Sequence, residues 1–72
     1  MSGRRYPIII ERTETGFSAY SPDVSGCVAV GDTEEDTRRN FQDTLIAHFD
    51  ALREVGEEIP KPHTSVAYVE AA

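Results

Sequence analysis

A single cysteine, Cys27, in a chain of 72 residues excludes an internal disulfide. Zinc is poorly served too, because the only other soft ligands, His48 and His63, stand far apart in sequence. No apolar run is long enough for a transmembrane helix. Met1-Ser2-Gly3-Arg4-Arg5 is followed by no hydrophobic stretch of signal-peptide length, so cytoplasmic residence is expected. Basic residues are scarce: seven Lys and Arg stand against thirteen Asp and Glu, for a net charge of −6. Phosphate contacts need clustered cations, whereas here Arg4 and Arg5 form one short pair and Arg38 and Arg39 sit among acids. Direct nucleic-acid binding is therefore not expected. An acidic surface instead favours, and speeds encounter with, a basic protein, and the same charge serves solubility.

The chain has room for one domain, spanning residues 1–72, and one modest core. A core of this size supplies roughly 3–5 kcal/mol, and small scaffolds usually add a disulfide, a metal or a partner subunit. With the first two disfavoured, self-association is the expected remaining source of stability.

Residues Arg5 to Arg12 read as a strand, with Tyr6, Ile8 and Ile10 on one face and Pro7, Ile9 and Glu11 on the other. Pro7 lacks an N–H and belongs at the beginning of the strand or on a sheet edge. Thr13-Glu14-Thr15-Gly16 supplies a turn, and Phe17-Ser18-Ala19-Tyr20 completes a hairpin. Ser21 to Gly26 is dense in turn formers, and Cys27-Val28-Ala29-Val30 reads as a third strand. Thr33 is a good N-cap, with Asp36 at the capping-box position and Glu34, Glu35 and Asp36 at the positive end of the helix dipole. Phe41, Leu45, His48, Phe49 and Leu52 then recur at spacings of three and four, forming one apolar stripe. Glu34–Arg38 and Glu35–Arg39 are expected as outward pairs four apart. Gly56 suits the position after the helix, and Pro60 and Pro62 bar a restart. After a polar connector from Glu57 to Thr64, Ser65 to Val69 reads as a final strand.

The resulting order is β-β-β-α-β, an α+β fold with a small antiparallel sheet and one long helix on one face. One helix covers one face of a sheet, and a layered fold must bury the other face somehow. Ile9, Val28 and Val30 are expected to point away from the helix and to form an oligomer interface, since exposed apolar patches mark interaction surfaces.

Chemistry is sparse. Glu11, Asp23 and Asp32 lie at strand ends or in loops, where acids serve solvation and capping more often than catalysis. Cys27 begins an apolar strand and reads as a small packed hydrophobe, not a nucleophile. His48 falls within the helix stripe and reads as a half-buried core histidine, and His63 as exposed. No nucleophile triad, phosphate loop or metal-ligand pair stands out, so no catalytic residue and no cofactor are expected.

The ordered set Tyr6-Pro7-Ile8-Ile9-Ile10-Glu11, Gly16-Phe17-Ser18-Ala19-Tyr20, Pro22-Asp23, Gly26-Cys27 and Gly31-Asp32-Thr33 resembles the N-terminal domain of the HicB family of antitoxins. The likeness continues through His48-Phe49-Asp50-Ala51-Leu52-Arg53-Glu54, Gly56-Glu57 and Ile59-Pro60. The resemblance implies a partial ribonuclease-H-like fold of three strands, a helix and a fourth strand, without the acidic cluster of the true enzyme. It also implies a non-catalytic protein that neutralises a HicA-like toxin, a small basic ribonuclease, by direct contact, and that forms dimers or tetramers; the alternative expectation is an orphan oligomeric binding or scaffolding module with no toxin partner. Asp23, Glu34 and Glu35, placed around the loop before the helix, are the expected acidic contacts. Many HicB proteins carry a C-terminal DNA-binding segment, and with the chain ending at Ala72, autorepression through such a segment is not expected. Thr37 and Phe41 depart from the alanine-rich spacing expected at this stretch of the helix.

Overall fold

The computed structural model describes residues 4–72. Strands β1 (Ile9–Arg12), β2 (Phe17–Ser21) and β3 (Val24–Gly31) form an antiparallel sheet in the order β1-β2-β3. Helix α1 (Glu34–Glu54) packs across one face.

β1 is shorter than the apolar pattern predicts. Ile9 pairs with Tyr20, and beyond Ser21 the chain turns at Pro22-Asp23, so residues 5–8 have no strand to pair with. β3 is longer than predicted because turn-rich Val24-Ser25-Gly26 is part of it. The Ser21–Val24 pairing is out of step with Tyr20–Val28, and Gly26 takes φ 85° within the irregularity. Such a bulge shifts the side-chain alternation by one residue, so Val24 and Cys27, three apart, both point inward.

Thr33 caps α1 as its position predicts, its hydroxyl accepting from the Asp36 amide at 3.0 Å. The other end closes on Gly56, at φ 78°. The Gly56 amide donates to the Arg53 carbonyl and the Glu57 amide to that of Leu52, at 3.1 and 2.8 Å, a double closure that needs a left-handed residue. The surface ion pairs fall three apart, not four: Arg38 with Glu35 at 2.7 Å, and Arg39 with Asp36. Asp36, one residue closer to Arg39, has taken the place predicted for Glu35.

Ala19, Val24, Cys27, Ala29, Phe41 and Phe49 make the buried core, with Tyr6, Ile8, Ile10, Leu45, Leu52 and Ile59 packed around it. The two departures in the helix have a structural reason. Phe41 is the largest fully buried side chain and belongs to the same core cluster as the small Ala19 and Ala29. Thr37 is fully buried, its hydroxyl bonded to the Thr33 carbonyl at 2.7 Å. There it meets Gly31, where a Cβ would lie 2.6 Å from the Thr37 hydroxyl and 2.7 Å from its amide nitrogen. Only glycine lets the end of β3 come this close to the helix.

The final strand predicted at Ser65 to Val69 does not form: residues 57–72 contain no strand or helix. The alternation of apolar residues is present, but no sheet edge lies alongside to take the backbone hydrogen bonds. What does form is an anchor upstream. The Tyr6 hydroxyl donates to the Pro60 carbonyl at 2.6 Å, and its ring meets Phe49 edge-on at 5.3 Å. Four residues on, Asp23 holds His63 and Thr64, so the segment crosses the end of the sheet from β1 towards the β2–β3 turn.

Candidate partner-binding surfaces

Strand register fixes what the uncovered face presents. Ile9–Tyr20–Val28 form one row across the three strands, and Glu11–Ser18–Val30 form the next. Cross-strand partners share a face, and here it is the one turned away from α1. Val28 and Val30 are each 65 % exposed and Tyr20 is 43 % exposed, while Ile9 is half-buried. The three residues expected at an interface, Ile9, Val28 and Val30, thus do lie together on the outer face. Tyr20, which links Ile9 to Val28, was missed because an aromatic in a short strand reads equally well as core.

The acids expected to act together do not. Asp23 and Glu34 lie beyond opposite ends of β3, which pairs with β2 from Ser21 at one end to Phe17 at the other. The Asp23 side chain, moreover, has no exposed surface. Its carboxylate accepts from the backbone amides of His63 and Thr64, each at 3.1 Å, and from the Thr64 hydroxyl. The His63 ring nitrogen lies 3.2 Å away. Loss of water tends to raise the pKa of this carboxyl, but the Thr64 hydroxyl, the two amides and the adjacent His63 outweigh it and hold the pKa below its ordinary value. Asp23 is therefore an internal anchor for the C-terminal segment, not a surface contact. Its partners lie some forty residues away, and no local signal pointed to them.

Glu34 and Glu35 are exposed, as expected. Glu35 is bonded to Arg38, which holds its pKa down, and Asp36 is held down in the same way by Arg39 and Thr33. Other acids join them at this end of the sheet. The β1–β2 turn is pressed against the end of β3, where a Cβ on Gly16 would collide with the Gly31 carbonyl oxygen. Glu11, Glu14, Asp32, Glu34 and Glu35 consequently share one end of the molecule, all exposed. Through Glu11, in the same row as Val30, this acidic end runs into the apolar outer face.

On the helix side, a cavity of about 740 Å³ lies between α1 and the segments at residues 4–6 and 58–61, with Tyr6, Leu45, Phe49 and Ile59 among its lining. Cys27 is buried, and burial pushes its thiol pKa up, which suits packing and not nucleophilic attack. His48 is half-buried beside Phe49, and the His63 side chain is largely exposed. Among the described residues, no group of three His, Cys, Asp or Glu is placed to hold a metal ion. Among the described residues, no helix is long and apolar enough to cross a membrane.

The domain is thus an α+β unit of three antiparallel strands backed by one long helix, with a bare apolar face and an acidic end. The chain belongs to the family described as "HicB_like antitoxin of bacterial toxin-antitoxin system", which matches residues 6–72. It is 40 % identical over 67 residues to Antitoxin HicB 2 of Photorhabdus laumondii, covering 92 % of this chain and 48 % of the relative. A 14.9 kDa uncharacterized protein of Haemophilus phage HP1, from the rep-hol intergenic region, is 34 % identical over 64 residues, covering 89 % of this chain and 48 % of its own. The chain thus spans about half the length of these curated relatives. Among solved structures, a chain of a HicA3 and HicB3 toxin–antitoxin complex superposes with a TM-score of 0.72 at 37 % identity, over 83 % of this chain and 70 % of that one. A crystal structure of antitoxin HicB3 gives 0.70 at the same identity, over 83 % of this chain and 44 % of that one.

Proposed function

We propose that this chain is the toxin-binding part of a HicB-type antitoxin and that it acts by occupying a small basic HicA-like ribonuclease, with no catalysis of its own. The observation that carries this reading is the continuity between the outer sheet face and the acidic end. Tyr20, Val28 and Val30 offer apolar area to desolvate, Glu11 borders it, and Glu34 and Glu35 at the same end of the molecule add charge that attracts a basic partner. The likeness to a chain solved in a toxin–antitoxin complex supports the same assignment. Glu34 and Glu35 keep their expected part as acidic contacts, and Asp23 leaves the set because it faces inward. Action in the cytoplasm, where messenger RNA is cleaved, follows from this role.

Co-expression with a small basic HicA-like protein tests the proposal. The expected result is a co-purifying complex that falls apart as salt rises, because charge attraction steers its formation. Glu34→Lys/Glu35→Lys should weaken it, measured at a temperature where the variant is folded, since both acids also favour the helix N-terminus and Glu35 pairs with Arg38. A toxin that neither co-purifies nor loses ribonuclease activity would overturn the proposal.

A further inference from the structure

Cations that lie scattered in the sequence are gathered by the fold. The cavity of about 740 Å³ beside α1 adjoins a second of about 470 Å³, and the two share Arg4, Tyr6, Gln42 and Leu45. Together they make one groove between the helix and the segments at residues 4–8 and 58–61. Along α1 its wall runs from Arg38 through Gln42, Leu45 and Phe49 to Arg53, at spacings of three and four that keep to one side of a helix. At about 1.5 Å per residue this wall is about 22 Å long.

The charge of the groove is the reverse of that of the chain. Arg4, Arg5, Arg38, Arg53 and Lys61, five of the seven Lys and Arg, line it with one acid, Glu58. The other two cations and twelve acids lie elsewhere. Arg38 is paired with Glu35 and Arg53 with Asp50, whereas Arg4, Arg5 and Lys61 make no ion pair among the described residues. All three are exposed. Between them lies apolar surface: Leu45 and Ile59 are half-buried, and Ile46 is 53 % exposed.

This combination suits an anion that also carries apolar groups. Single-stranded nucleic acid binds by stacking bases on free aromatic faces, but here the Tyr6 and Phe49 rings are packed on each other and the Tyr6 hydroxyl is held by the Pro60 carbonyl. An acyl chain needs a pocket that covers most of its surface, and this groove is open to water along one side, with Gln42 and Ile46 exposed. An extended groove with apolar footholds and cations at intervals matches a peptide.

We propose that the groove docks an acidic peptide segment of a partner protein, whose apolar side chains rest on Leu45, Ile46 and Ile59 while its carboxylates meet Arg4, Arg5 and Lys61. The apolar contacts supply burial and the cations select the sign of charge. The acidic end and outer sheet face suit a basic toxin, so the two partners occupy different sides of the molecule.

Fluorescence anisotropy of labelled synthetic peptides with the full chain, without toxin, tests this. Two peptides of leucine and glutamate serve as probes, one with leucine at helical spacing and one in strict alternation. The net charge of −6 repels both, so binding reports the groove. At least one should bind saturably, and its counterpart with glutamine in place of glutamate should bind at least about tenfold more weakly. Arg4→Glu/Lys61→Glu should erase that preference, and Ile46→Ser should weaken both forms alike. Both variants should keep the helical circular dichroism and the sedimented mass of the wild type. Failure of both acidic peptides to bind, glutamine forms that bind equally well, or a preference that survives Arg4→Glu/Lys61→Glu would each overturn the proposal. So would tighter binding of laurate or of a single-stranded oligouridylate in the groove, or a changed mass in either variant, which would place a second copy there.

Discussion

Along the middle of β2 and β3 the two faces of the sheet differ in the size of their side chains, and in the opposite sense to a simple inside–outside rule. Towards the helix stand Ala19, Cys27 and Ala29, all buried; towards solvent stand Tyr20, Val28 and Val30, all exposed. Small residues on the inner face let α1 settle close enough for Phe41 to fill the space and for Thr37 to touch Gly31. Large residues on the outer face have no such task within the chain. The inner face therefore answers to packing and the outer face to recognition, and substitutions should separate the two.

The largest effect is expected from Phe41→Ala. Removing the most deeply buried aromatic should cost about 3–5 kcal/mol, comparable with the whole stability of a core this small, and thermal denaturation should show a lost or greatly lowered transition. An unchanged melting temperature would mean that the helix is not held by its inner face. Next in size is Gly31→Ala, whose added methyl meets Thr37 backbone and should cost about 1–3 kcal/mol by the same measurement.

Asp23→Asn probes the anchor at the end of the sheet, with a smaller and more local effect. Because the folded pKa of Asp23 is depressed, its stabilisation is complete above the unfolded value, near 3.9, and is lost as pH falls through the folded value. The amide resonances of His63 and Thr64 should move towards random-coil positions below about pH 4 in the wild type, and at neutral pH in Asp23→Asn. The core resonances of Phe41 and Ala29 should stay in place in both. The smallest effect on stability belongs to Val28→Ser/Val30→Ser, expected within about 0.5 kcal/mol because these side chains pack against little in the free chain. A large destabilisation there would erase the contrast between the faces.

Local signals were legible in the sequence wherever neighbours in the chain determine the structure. Thr33 and Gly56 marked the helix ends because capping involves residues three to five apart, and the hairpin at Gly16 was visible for the same reason. The helix stripe correctly named Phe41 and Phe49 as core. Non-local determinants were hidden. Asp23 looked like a solvated turn acid, since its partners at 63 and 64 meet it only after the chain has crossed the sheet. The start of β3 was masked by Ser25 and Gly26, which suit both a turn and the bulge they form. Ser65 to Val69 has the pattern of a strand but no edge alongside within its own chain, and a strand is defined by its neighbour as much as by its residues. Of the binding surface, Ile9, Val28 and Val30 could be placed because alternation along a strand assigns faces; Tyr20 and the gathering of acids at one end required the register and the contact between Gly16 and Gly31.

Titration calorimetry of a HicA-like toxin against the wild type and Val28→Ser/Val30→Ser tests most directly the claim that the uncovered face is built for a partner. The expected result is a dissociation constant raised by at least about tenfold, or 1.4 kcal/mol, in a variant whose melting temperature matches the wild type. Equal affinities for the two proteins would contradict the claim.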